Sequence, residues 1–189
     1  MNLNISGKYD DILVRPLALQ DIEKLRIWRN NKANSKYLKQ IGYITPESQR
    51  SWYDKYTIDP EIYTFAIDEI HKQEFLGTLS FYNFRNQIVE YGKILIGNKS
   101  ARGKGYARKA SIICLHIIFD RLGFNMVDAL VHKDNTPALK TYFHLGFEIN
   151  SELSMQDDEY VIKLTKEKFR VTNKESIPEI VVKNYNGGY

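Results

Sequence analysis

The 189-residue chain is 43% hydrophobic and 13% aromatic, which excludes a disordered segment and suffices for one compact core. Its formal net charge of +4 is mild, and with no nucleic-acid motif or aromatic–basic strip it excludes nucleic acid as the expected partner. No apolar run approaches the roughly 18 residues of a membrane span, and His71, His116, His132 and His144 are scattered without metal-ligand spacing. The first residues lack a basic, then apolar, export signal, and the lone Cys114 can form no internal disulfide, so a reducing cytoplasm is the expected compartment. Cys114 sits among Ile112, Ile113 and Ile117 and reads as a core residue.

In chain order, Ile12 to Leu17 reads as a short strand ended by Pro16. Ile22, Leu25, Trp28 and Arg29 fall at helical spacing, and a second helix opens at Thr45-Pro46 and carries Trp52, Tyr53 and Tyr56. Tyr63 to Asp68, Glu74 to Tyr82 and Ile88 to Ile96 read as an antiparallel meander. Ala107, Ala110, Cys114, Ile117, Ile118 and Leu122 then mark one face of a helix stopped by Gly123. A strand from Asn125 to Val131 follows, so strand, helix and strand predict a parallel, right-handed crossover. Next comes a helix capped by Thr136 with Pro137 at its first position and Gly146 at its end. A hairpin of Phe147 to Glu152 with Tyr160 to Thr165, turning at Gln156-Asp157-Asp158, closes the pattern.

The most informative stretch is Ile96-Gly97-Asn98-Lys99-Ser100-Ala101-Arg102-Gly103-Lys104-Gly105-Tyr106. A strand, a Gly-rich turn with cations and a helix start aim free amides and a positive dipole end at a phosphate. A nucleotide P-loop fails, because Gly97 and Gly103 are too far apart and Lys104 is followed by Gly105, not by a hydroxyl residue. The dinucleotide fingerprint lacks its third glycine. What fits is Arg/Gln-x-x-Gly-x-Gly/Ala, met by Arg102, Gly105 and Ala107, which resembles the pyrophosphate loop of the GNAT N-acetyltransferases. About 30 residues on, Asn135, Ala138, Tyr142, Gly146 and Phe147 match a second pattern of that family, Asn-x-x-Ala-x-x-x-Tyr-x-x-x-Gly-Phe, in every specified position.

The resemblance covers roughly residues 10 to 165 and implies an α/β GNAT fold: a mixed, mostly antiparallel sheet flanked by helices, with its parallel pair at the cofactor cleft. One domain over residues 1–165 and a tail over 166–189 are expected, the tail offering either an extra strand or a partner contact. The implied chemistry is direct attack of an amine on acetyl-CoA. The resemblance places the pyrophosphate on Arg102, Gly103, Lys104, Gly105, Tyr106, Ala107 and Arg108, and the pantetheine arm on Ile94, Leu95, Ile96 and Asn135. Tyr142 takes the position of the general acid for the departing thiolate.

For the base, strict alternation along the strand places Glu90, Gly92, Ile94 and Ile96 on one face beside the acetyl group. His132 and a relayed water compete with Glu90. Leu25 to Asn31 and Thr45 to Tyr53 resemble the Trp-Arg-Asn segment of enzymes that acetylate nucleotide-linked amino sugars, as in pseudaminic-acid biosynthesis. Trp28, Arg29, Tyr53 and Tyr82 are therefore expected on an acceptor wall, with an anionic small-molecule amine as partner and a homodimer left open. Acetylation of a protein N-terminus or other amine, and a silent CoA-binding module, are the alternatives.

Overall fold

The computed structural model describes residues 4–38, 42–150, 155–156 and 158–187. Its strands are β1 (Ile5–Tyr9), β2 (Ile12–Pro16), β3 (Ile62–Glu69), β4 (Glu74–Arg85), β5 (Ile88–Ile96), β6 (Met126–His132), β7 (Glu148–Ile149), β8 (Met155–Gln156), β9 (Glu159–Thr165) and β10 (Val181–Asn184). Its helices are α1 (Ile22–Asn30), α2 (Lys32–Ser35), α3 (Pro46–Tyr56), α4 (Tyr106–His116), α5 (Thr136–Leu145) and α6 (Lys166–Thr172). The strands form one sheet in the order β10-β1-β2-β3-β4-β5-β6-β9-β7, with β8 also on β9. Every pairing is antiparallel except β5 with β6, as the crossover predicts.

Alternating side chains give the sheet two unlike faces. Phe65, Ile67, Leu79, Phe81, Val89 and Tyr91 join the main core beneath α4. Ala66 and Leu95 face the other way, under Leu25, Trp28 and Tyr53 of α1 and α3. Helix α4 is enclosed rather than merely amphipathic: Ile112, Ile113, Cys114 and Leu115 are all fully buried. It continues into a π turn over Ile117–Arg121, so the single helix expected through Leu122 is two pieces.

Local chemistry accounts for the boundaries. Thr45 caps α3, accepting from the Ser48 amide, with Pro46 opening the helix. Gly146 ends α5 at φ 100°, a left-handed position that suits glycine. The α5 cap, however, is Asn135, whose Oδ1 accepts from the Ala138 amide, one residue before the expected Thr136. The expected closing hairpin shortens to β7 against β9, and its residues Ser151, Glu152 and Asp157 lie outside the described residues.

Strand β1, which the sequence reading did not assign, pairs with β2 and with β10. The stretch beyond Thr165 packs onto the same core: Phe169 of α6 is fully buried, its ring 5.3 Å from that of Phe119, and β10 extends the sheet.

A buried ion triad ties β2 to β3 and to the turn before α1. Arg15 Nε donates to Asp68 Oδ2 at 2.6 Å, and its two terminal nitrogens grip Asp21 at 2.7 and 2.9 Å. All three residues are at most 4% exposed. Removing one partner strands a buried charge, so Asp68→Ala is expected to lose about 3–5 kcal/mol, read as a lower denaturant midpoint at unchanged slope.

Candidate active site

Strands β5 and β6 pair for three rungs only, Ile88 with Met126, Val89 with Val127 and Glu90 with Asp128, and then part. The parting opens a gap. Just past the last rung, α5 lies against β5, with Tyr142 packed edge-on to Tyr91.

A bulge sets the cofactor strand. Ser80 pairs with Gly92 and Thr78 with Leu95, so three steps on β5 answer two on β4, with Lys93 held at φ 52°. The extra residue overturns the simple alternation expected for Glu90, Gly92, Ile94 and Ile96. Ile94 and Ile96 instead pack on the Tyr91 side, and Leu95 on the side of α1.

The loop after β5 fits a phosphate. Gly103 (φ 74°) and Gly105 (φ 78°) are both left-handed, and nothing lies within 4 Å of a Cβ built on either. Gly105 is the α4 N-cap and supplies no side-chain cap. The first helical bond is donated by Lys109 to the Gly105 carbonyl, which leaves the amides of Tyr106, Ala107 and Arg108 without helical partners. Lys104 and Arg108 are exposed beside them.

Two other cations of the segment are otherwise engaged. Arg102 donates to the Ile96 carbonyl at 3.0 Å and to Asn34 Oδ1 at 2.5 Å, and Lys109 bridges Asp10 and Asp11 at 2.6 and 2.7 Å. On α5, Asn135 spends its Oδ1 on the cap, which leaves its amide nitrogen as the donor for a ligand.

At the apex of the gap, Tyr82 of β4 pairs with Glu90 of β5, and Asn83 Nδ2 donates to Glu90 Oε2 at 2.7 Å. Burial, then the charge of Glu90, pushes the Tyr82 phenol far up. Tyr142 is 3% exposed and packs edge-on against Tyr91 and Phe147, and its hydroxyl has no hydrogen-bond partner among the described residues. Burial and then Glu90 raise its phenol well above the ordinary value, so it stays protonated at neutral pH and can donate. The structure thus brings Tyr82, Glu90 and Tyr142 together. It adds Asp128, which the sequence reading missed; its only sequence signal is its place on the strand that the crossover lays beside Glu90.

His132 sits elsewhere. It lies four residues beyond the Glu90–Asp128 rung on β6, about 13 Å along a strand, its Nδ1 accepting from the Asp134 amide and its ring beside Tyr37.

The expected acceptor residues divide. Trp28 stacks on Phe75 with its indole against Gly97, where any Cβ would collide at 1.8 Å, and lines a cleft of about 300 Å³ with Lys24, Asn31, Asn34 and Asn98. Tyr53 lines a separate cleft of about 340 Å³ with Tyr56, Leu17 and Thr64. Arg29 follows Leu25 by one turn on α1, is half-buried, and has neither hydrogen bond nor ion pair among the described residues; burial alone lowers its pKa.

The family model described as an acetyltransferase (GNAT) domain matches residues 11–148. The chain belongs to the GNAT acetyltransferase family. It is an acyl-CoA-dependent N-acetyltransferase, and acetyl-CoA is its cofactor. Among relatives, it is 29% identical over 136 residues to acetyltransferase PseH of Campylobacter jejuni, covering 72% of this chain and 82% of that protein. It is 33% identical over 139 residues to mycothiol acetyltransferase of Mycolicibacterium vanbaalenii, covering 68% of this chain but spanning only 42% of that protein.

Solved structures share the GNAT fold. Apo FdhC, a nucleotide-linked sugar GNAT, superposes with a TM-score of 0.77 at 23% identity, over 95% of this chain and 99% of that one. Spermidine N-acetyltransferase from Vibrio cholerae, in complex with CoA and spermine, gives 0.75 at 20% identity, over 84% and 98%. No helix among the described residues is long and apolar enough to cross a membrane.

For a GNAT loop built this way, acetyl-CoA is expected to raise the melting temperature of the wild-type protein by mass action. Gly105→Val, whose side chain would fill the backbone's approach to the phosphate at a positive φ, is expected to abolish that shift while the protein still melts cooperatively.

Proposed function

We propose that the chain acetylates the amino group of a nucleotide-linked amino sugar. The observation that carries the reading is Arg29, a half-buried cation on the sheet-facing side of α1 that no carboxylate among the described residues answers. An unpaired guanidinium removed from water calls for an anion, and a phosphate-bearing acceptor supplies one bidentately. The relatedness to PseH and the fold shared with a nucleotide-linked sugar GNAT support the same class. A polycation such as spermidine would meet Arg29 as a like charge.

Acetyl-CoA, when bound, supplies the acetyl thioester. The amides from Gly103 to Arg108, in the loop and the first turn of α4, would hold its pyrophosphate, with Lys104 and Arg108 as the free cations and Arg102 bracing the loop. Ile94, Leu95 and Ile96 offer backbone groups to the pantetheine arm, and the Asn135 amide nitrogen donates to it. Glu90 accepts a proton from the acceptor's ammonium, Tyr82 orients Glu90, and Tyr142 gives its proton to the departing thiolate. Trp28, on the same helix as Arg29, bounds the acceptor side, and the enzyme acts in the cytoplasm.

Incubation with acetyl-CoA and a panel of nucleotide amino sugars, amino-terminal peptides and polyamines, read by mass spectrometry, tests the acceptor class. Acetylation of the sugar nucleotides alone is expected; acetylation only of peptides or polyamines would replace the reading.

Arg29→Met is expected to raise KM for the sugar nucleotide by the equivalent of about 1.5–3 kcal/mol with little change in kcat, and the wild-type KM is expected to rise with salt. Tyr142→Phe is expected to lower kcat on the order of 100-fold or more while the acetyl-CoA melting shift persists, which separates a proton donor from a packing residue.

A further inference from the structure

Glu90 has an acidic neighbour that the mechanism above leaves idle. Asp128 is its direct partner on the last rung before β5 and β6 part, so both side chains project from the same face of the sheet. Asp128 is unevenly satisfied. Its Oδ2 accepts from Arg85 at 3.1 Å, whereas Oδ1 is buried with no donor among the described residues. A buried carboxylate oxygen without a donor is costly, and the cost falls when a proton is shared onto the pair.

Burial is the main cause holding the Asp128 carboxyl above its ordinary value; Arg85 draws it down, and the charge of Glu90 adds to the rise. The other charged or titratable groups around the pair are Tyr82 and Arg85 on β4, Tyr142 on α5, and Glu159 and Lys163 on β9. Adjacent carboxylates resist joint ionisation and titrate as a unit.

We infer that Asp128 is a positioning residue for Glu90, so that the proton taken from the acceptor is held by the Glu90–Asp128 pair. The inference rests on Glu90 being the base. The acceptor's ammonium gives one proton to Glu90, and the freed lone pair forms the C–N bond as the thioester C–S bond breaks. The second N–H proton leaves the new amide and replaces the one that Tyr142 gives to the thiolate. The proton on the pair then departs to solvent, restoring both carboxylates.

The test is the acidic limb of the kcat/KM pH profile of the full chain, measured with any amine the enzyme turns over. Asp128→Asn is expected to move that limb to lower pH by about a unit or more. Arg85→Gln removes an exposed cation, leaves the core untouched, and is expected to move the limb the opposite way, to higher pH. Asp128→Glu is expected to restore the wild-type limb.

An unmoved limb in Asp128→Asn or a downward shift in Arg85→Gln overturns the inference. A limb that moves as expected in a protein that acetylates none of the sugar nucleotides leaves the pair standing and overturns the acceptor reading instead.

Discussion

The active site exists because two parallel strands stop pairing. Up to Glu90 and Asp128 the β5–β6 ladder satisfies its backbone groups internally; beyond it, no strand among the described residues pairs with β5 on that side, and the Ile96 carbonyl is taken by Arg102. Backbone groups are costly to bury unpaired, so the gap is a place where an extended ligand can complete the sheet. The phosphate loop, the α5 cap and the phenol of Tyr142 are all arranged around this missing pairing.

The parting has to be braced from elsewhere. The bulge at Lys93 lets β5 stay paired with β4 while changing direction, and Gly77 admits the close approach: a Cβ there would meet the Leu95 carbonyl at 1.9 Å. On the far end, the indole of Trp28 occupies the space above Gly97, and Tyr37 donates to the Asp134 carbonyl at 2.9 Å. The α1–α2 segment thus touches both loops that flank the gap. Its contacts reach Arg102 on one side and Asp134 on the other.

The fold was largely legible because its two long motifs announce their own geometry. A strand, a Gly-rich turn and a helix can hold a phosphate in few ways, and Asn135 to Phe147 carries its own cap and stop signals. What stayed hidden depends on contacts remote in sequence. Strand β1 is short and contains Gly7, whose Cβ position lies 2.3 Å from an Ile113 methyl; only α4 explains why glycine stands there. The bulge was invisible because a lysine at positive φ leaves no mark in a hydrophobic pattern. Asp128 was missed because burial of one carboxylate oxygen is a property of the assembled rung, and the spacing of His132 from that rung likewise follows from strand register. The expected cation cluster was legible as charge but not as partnership, since Lys109 and Arg102 find their partners 98 or 99 and 68 residues away.

That partnership changes what the loop's positive charge can do. Of the cations in the segment, Lys109 is neutralised by two aspartates, and Arg102 is committed to a carbonyl and an amide oxygen. In the proposed reading, part of the work of holding a pyrophosphate therefore passes to oriented peptide dipoles at the start of α4, beside the exposed Lys104 and Arg108. Cofactor capture in that reading depends on shape and backbone direction for its geometry, and on two exposed cations for the share of its attraction that ionic strength weakens.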